Sequence, residues 1–179
     1  MIETSFKFNF ASSEVIDSYA KRINDEYESG EIGYYHLPAL GQNLLGEIEE
    51  YEKGLAHIKN VVLVGIGGSS LGVKALKSML EGTKGIKREL LFLDNVDPCS
   101  YKSTLDGVNF DETLFVISSK SGNTIETITI FKCLLDDFKP KNLGKNFLII
   151  TDPGTNLENF AKENGIKFFN IPKFEIIKF

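Results

Sequence analysis

The residues of this 179-residue chain that could do chemistry are concentrated in two short stretches. One, Ser118 to Thr124, reads SSKSGNT. Ser119, Ser121 and Thr124 offer hydroxyl donors, Lys120 a positive charge, and Gly122 a turn that can aim backbone N–H groups inward. The other, Gly65 to Gly72, reads GIGGSSLG. Gly65, Gly67 and Gly68 let a ligand approach the backbone, and Ser69 and Ser70 suit the N-cap of a following helix. Hydroxyls, glycine amides and the positive end of a helix dipole together suit a dianionic phosphate. Hydrogen bonds to a charged group contribute roughly 1.5–3 kcal/mol each. The dipole contributes about 0.3–1 kcal/mol at a surface, so the donors decide affinity. A single hydroxyl in such a loop is more often a cap than a ligand; the whole set beside a second glycine loop favours phosphate.

Loops of this kind need strands to present them. Apolar runs predict strands at Val61–Val64, Leu90–Leu93, Leu114–Ser118, Phe147–Thr151 and Lys167–Ile171. Helical stretches fall between them at Leu71–Leu80, Cys99–Leu105, Thr124–Phe138 and Asn156–Asn164. Buried strands alternating with helices predict an α/β three-layer sandwich around a five-stranded parallel sheet, with ligands at the carboxyl ends of the strands. The exits after the second and fourth strands, Asp94–Pro98 and Thr151–Gly154, are polar as well. Asn123 is expected to cap the helix after the third strand with Glu126 completing a capping box, and Ile125, Ile128, Phe131, Leu135 and Phe138 to form its buried face. After the first strand the apolar positions are Leu71, Ala75, Leu76, Met79 and Leu80.

Upstream, Ser12 and Ser13 open one helical pattern (Ile16, Tyr19, Ala20, Ile23, Tyr27) that Gly30 ends. A second runs through Leu37, Leu40, Leu44, Ile48, Tyr51 and Leu55, weakened by Gly41 and Gly46. Both stripes are expected to be core packed on the following domain. The expected organisation is a helical segment at 1–58, a phosphate-binding α/β domain at 59–172 and a separate tail at 173–179. Apolar residues Phe174, Ile176, Ile177 and Phe179 in that tail lead to an expectation of self-association.

A net charge of −5 supplies no basic face for a nucleic acid. Cys99 and Cys133 are too few for a disulfide framework or a zinc site and read as buried thiols in a reducing compartment. MIETSFKFNF lacks a signal peptide's apolar core, and no apolar run approaches a membrane span, which predicts a cytoplasmic protein. No P-loop string occurs. Gly65, Gly67 and Ser70 approximate the dinucleotide fingerprint with Asp94 as the ribose-binding acid, but serine replaces its third glycine and the serine-rich loop is left unused. His36 and His57 lie away from the loops and read as structural or surface residues.

GIGGSSLG and SSKSGNTIET (Ser118 to Thr127) together resemble the two sugar-phosphate loops of the glucose-6-phosphate isomerase family, and NVDP (Asn95–Pro98) and ITDP (Ile150–Pro153) match its strand exits. SKSGNT alone is shared with the wider sugar-isomerase (SIS) domain superfamily. The resemblance implies a flavodoxin-like SIS domain, interconversion of glucose 6-phosphate and fructose 6-phosphate in glycolysis and gluconeogenesis, no metal or organic cofactor, and a homodimer in the full-length family protein. It places Ser119, Lys120, Ser121 and Thr124 on the phosphate and Gly68 and Ser69 on the sugar. The family's catalytic arginine, glutamate, histidine and lysine lie in a later part and have no match here, so the chain alone is expected to be inactive or nearly so. A stand-alone phosphosugar-binding SIS module with a regulatory role is the alternative.

Overall fold

The computed structural model describes residues 13–30, 32–83 and 87–171; the N-terminal start, Ser12 and the 173–179 tail lie outside the described residues. Two compact units divide them, with the boundary between Leu45 and Gly46.

The first unit contains α1 (Ser13–Ser29), a 3-10 turn at Gly33–His36 and α2 (Leu37–Gln42). Gly30 stops α1 with φ +66°. His36 has a structural role, its ring 4.6 Å from that of Tyr27 and its Nε2 3.2 Å from the Tyr27 carbonyl. The α1 stripe is not the core that its spacing predicts: Ile16, Tyr19, Ile23 and Tyr27 are all exposed. Helical spacing makes a stripe, and only a packed partner makes it a core.

The second unit, Gly46–Ile171, carries the sheet. Its strands are β1 (Asn60–Val64), β2 (Glu89–Leu93), β3 (Thr113–Ser118), β4 (Phe147–Thr151) and β5 (Lys167–Asn170), each within one residue of expectation at either end. All pair in parallel in the order β2-β1-β3-β4-β5, and the core residues alternate along each strand. Val62, Val64, Phe115, Ile117, Phe147 and Ile149 face one layer, the rear, built from α5 (Pro98–Leu105), α6 (Ile125–Phe138) and α7 (Asn156–Glu163). Leu63, Leu114, Val116, Leu148 and Phe169 face the other, the front, where Val73 of α4 (Gly68–Leu80) and Tyr51 of α3 (Leu45–Lys53) pack. This is the expected three-layer α/β sandwich.

The helices depart from expectation in their faces more than their bounds. The second upstream pattern splits into α2 and α3 between Gly41 and Gly46, each glycine costing about 1 kcal/mol of helix propensity relative to alanine. Of its stripe, Leu37 and Ile48 are exposed, whereas Tyr51 and Leu55 pack on the front core. In α6 the buried set is Thr127, Ile130, Phe131 and Leu134, with Ile128, Leu135 and Phe138 partly buried; Ile125, in the first turn, is 75% exposed. Cys99 and Cys133 are free, as expected, but exposed rather than buried. Cys133 lies on α6 beside, not within, the buried stripe.

Candidate functional site

β1 hands the chain to β2 on one side and is flanked by β3 on the other, so α4 leaves for the front face and α6 for the rear. The exits of β1 and β3 therefore flank the point where strand order reverses, the standard position for a ligand crevice in an open parallel sheet. Both loops singled out from sequence lie there and meet at Gly65. A Cβ added at Gly65 would lie 2.9 Å from Ser69 Cβ and 3.0 Å from the Ser118 carbonyl oxygen, so only glycine lets the two backbones approach this closely.

In the first loop, the helix cap is Gly67 (φ +58°), not Ser69 or Ser70. α4 begins one residue later, at Gly68, and both serines lie inside its first turn. Ser70 is fully buried, its Oγ donating to the Gly67 carbonyl at 3.3 Å. The amides of Ser69 and Ser70 close on Ile66 and Gly67 at 3.2 and 3.0 Å. What faces outward is the exposed Gly68 backbone and the half-buried Ser69 side chain.

The second loop is more fully built. Ser119, 1% exposed, donates its amide to the Ile150 carbonyl at 3.0 Å and shares a 3.0 Å hydroxyl–hydroxyl hydrogen bond with Thr124. The Gly122 amide turns back to the Ser119 carbonyl at 3.1 Å, and the Asn123 amide donates to Ser121 Oγ at 3.3 Å. Among the described residues, the Lys120, Ser121 and Thr124 amides find no acceptor, and Lys120 and Ser121 stand exposed at the rim. Thr124, not Asn123, is the N-cap of α6; it accepts the first helical hydrogen bond from Ile128 at 3.0 Å and makes no side-chain cap. Asn123 is instead held by Asn156, whose Nδ2 donates to its Oδ1 at 3.2 Å, so no capping box with Glu126 forms. The chain thus brings Ser119, Lys120, Ser121 and Thr124 to the N-terminus of α6 and Gly68 and Ser69 to that of α4, the two loops meeting at Gly65.

Thr151 and Thr155, at the exit of β4, were not among the predicted site residues. Gly122 (φ +65°) rests on Thr155: a Cβ there would lie 2.6 Å from Thr155 Cβ. The legible signal was Thr155-Asn156-Leu157-Glu158, a capping-box spacing. Thr155 Oγ1 accepts from the Glu158 amide at 3.1 Å, and Glu158 Oε2 accepts from the Gly154 amide at 2.6 Å. That amide, then the Lys162 ammonium 3.1 Å away, holds the Glu158 carboxyl below the usual range, against a smaller opposing effect of burial.

Asp94, the acid that a dinucleotide reading needs, is paired with Lys74. Lys74 and Lys77 also lie 5.3 and 5.8 Å from the Phe92 ring centroid, and Lys77 donates to the Leu90 carbonyl at 3.0 Å. Together they border a cleft of about 370 Å³ along the outer edge of β2, away from the two loops. Both lysines belong to α4, which sets their charges over the edge strand β2; charged groups over a sheet edge discourage pairing with other chains.

Among the described residues, no helix is long and apolar enough to cross a membrane. Residues 46–175 match the family model of phosphoglucose isomerase. The chain is 44% identical over 174 residues to a glucose-6-phosphate isomerase of Campylobacter jejuni, covering 96% of this chain and 43% of that one. It is 32% identical to a probable glucose-6-phosphate isomerase of Methanococcus maripaludis, covering 93% and 37%. Its fold is similar to the crystal structure of a hypothetical protein from Thermus thermophilus, with TM-score 0.76, 28% identity and coverage of 89% and 39%. It is also similar to that of a glucose-6-phosphate isomerase from Chlamydia trachomatis, with TM-score 0.62, 27% identity and coverage of 68% and 24%. The chain spans less than half the length of these relatives. With the family model covering most of the chain and both loops in place at the switch point, the chain belongs to the phosphoglucose isomerase family.

Proposed function

We propose that the protein interconverts glucose 6-phosphate and fructose 6-phosphate in the cytoplasm as a homodimer, and that this chain holds the substrate's phosphate end. The observation that carries the reading is the meeting, at Gly65, of the loop that leads through Ser119–Thr124 into α6 with the loop that leads through Gly68 and Ser69 into α4. In this reading Ser119, Ser121 and Thr124 hydrogen-bond the phosphate oxygens, and the Lys120 ammonium offsets part of the charge. Gly68 and Ser69 contact the sugar. Hydroxyls and amides fixed before binding cost little reorganisation, which suits them to anchor a substrate during chemistry performed elsewhere.

Proton transfer between adjacent carbons needs a base and a stabiliser of the developing charge. The six proposed site residues are anchors and include no such pair, so the 179-residue chain alone is expected to show no turnover. A coupled assay for fructose 6-phosphate formation tests the absence of turnover on the 179-residue chain, and tests the loop on any longer protein of which the chain is the phosphate-binding part. Thr124→Val there should raise KM more than about tenfold, the loss of one hydrogen bond to a charged group, while lowering kcat much less. An unchanged KM would remove the loop from the substrate site. Because Asp94 is paired with Lys74, a nicotinamide dinucleotide is the weaker reading.

A further inference from the structure

We propose that Thr155, acting through Thr151, is a positioning residue that sets the conformation of the Ser119–Thr124 loop and aims the Ser121 amide away from β4; the consequence for phosphate rests on the function proposed above. Thr151 is fully buried at the end of β4. Its Oγ1 lies 3.4 Å from the Lys120 carbonyl oxygen and 3.0 Å from Thr155 Oγ1, and Thr155 Oγ1 in turn accepts from the Glu158 amide. One assignment of protons uses every group once. The Glu158 N–H donates to Thr155, the Thr155 hydroxyl to Thr151, and the Thr151 hydroxyl to the Lys120 carbonyl. The Asp152 amide adds a second donor to that carbonyl at 3.0 Å.

In a planar trans peptide the C=O and the following N–H point in opposite directions. Holding the Lys120 carbonyl toward β4 therefore turns the Ser121 N–H away from β4, to the side of β3 on which β1 lies. Thr155 acts a second time by contact. Its Cβ and Oγ1 would lie 2.6 and 2.8 Å from a Cβ at Gly122, so its side chain abuts the left-handed residue that completes the turn. The Asn156–Asn123 hydrogen bond fixes the next residue along. Three consecutive loop residues are thus placed by the exit of a neighbouring strand, and none of the residues that place them faces the ligand in the proposed reading.

The test uses the whole chain, isotope-labelled, with inorganic phosphate as the probe. Thr151→Val removes one hydroxyl and leaves the Thr155 cap of α7 intact; Thr155→Ser keeps both hydrogen bonds. For Thr151→Val the ligand-free amide shifts of Ser121–Asn123 should move, and exchange at the Gly122 amide should quicken. The phosphate Kd should rise about three- to tenfold with little change in urea midpoint. Thr155→Ser should resemble the unsubstituted chain. Unchanged loop amides in Thr151→Val overturn the positioning role, as does an unchanged phosphate Kd beside altered amides. If the unsubstituted chain gives no response to phosphate, the phosphate reading fails by itself, and the ligand-free amides still decide whether Thr151 and Thr155 set the loop. Should Thr151→Val fail to fold, Thr155→Val is measured in its place by the loop amides and the phosphate Kd alone, since it also removes the α7 cap and lowers the urea midpoint.

Discussion

Behind the sheet, α5, α6 and α7 close over Val62, Val64, Phe115, Ile117, Phe147 and Ile149, and Phe131 sets its ring 5.4 Å from Phe147 and 5.6 Å from Phe160. In front, α4 lends the core little more than Val73 and a fully buried Ser70. It meets the sheet edge through Lys74 and Lys77 over Phe92, while Leu71, Leu76 and Met79 are 62, 57 and 75% exposed. Both helices begin at the proposed site. The loop entering α6 is therefore tied to the densely packed face and braced by β4, whereas the loop entering α4 is tied to the sparse one. In the function proposed above, the difference separates two tasks: a fixed grip on the phosphate and a more adaptable contact with the sugar.

The largest test of this asymmetry lies in the cores. Phe131→Ala should cost about 3–5 kcal/mol, and Leu76→Ala on α4 less than about 0.5 kcal/mol, both by urea unfolding. Equal losses would mean that the faces are equally packed. Next come the loops. Gly122→Ala forces a Cβ onto a left-handed residue (φ +65°) against Thr155 and should destabilise by about 1–3 kcal/mol. Gly68→Ala meets no atom within 4 Å and should be neutral to mildly stabilising in thermal melts. A smaller gain is expected at Thr127. Its hydroxyl is fully buried on α6 and is the one buried side-chain polar atom among the described residues without a partner. Thr127→Val should stabilise the chain by about 1 kcal/mol; a loss would show that the hydroxyl does have a partner.

The subtlest effect is in the acid limb of stability. Hydrogen bonding by the Gly154 amide, reinforced by Lys162, lowers the Glu158 pKa on folding. A depressed carboxyl pKa stabilises the fold fully above about pH 4.5, the ordinary value, and that contribution is lost as pH falls through the folded value. Glu158→Gln should flatten stability against pH in that acidic window and leave its slope near neutrality unchanged, as read by urea midpoints across pH.

The strands were legible in sequence because a strand buried on both faces needs a continuous run such as Val61–Val64 or Leu114–Ile117, and polar residues mark its ends. Both glycine loops were legible for the same reason: they interrupt such runs. What sequence left open was which side of each helix would be covered. Leu71, Leu76 and Met79 have the spacing of a core stripe, yet the sheet is met by Ser70, Val73, Lys74 and Lys77, whose long stems pack while their charges reach partners. Caps were legible by type but not by place. Asn123/Glu126 and Thr155/Glu158 have the same spacing, but only the second forms, because Asn123 is held by Asn156 and the tight turn passes the cap to Thr124. Thr151 marks a polar strand exit in sequence, but the part that it and Thr155 play depends on β4 lying beside β3, a fact of strand order that local sequence does not contain.

The central claim, that this chain grips a sugar phosphate through the Ser119–Thr124 loop, is tested most directly by amide NMR. The isotope-labelled chain is titrated with glucose 6-phosphate, inorganic phosphate, glucose and NAD. Glucose 6-phosphate should shift Ser69 and Ser119–Thr124, saturating with a Kd of about 1 mM, equivalent to about −4 kcal/mol. Phosphate should reproduce the Ser119–Thr124 part, and glucose should do almost nothing. Silence with both phosphate and glucose 6-phosphate, or shifts with NAD centred on Gly65–Ser70 and Asp94, would contradict the account.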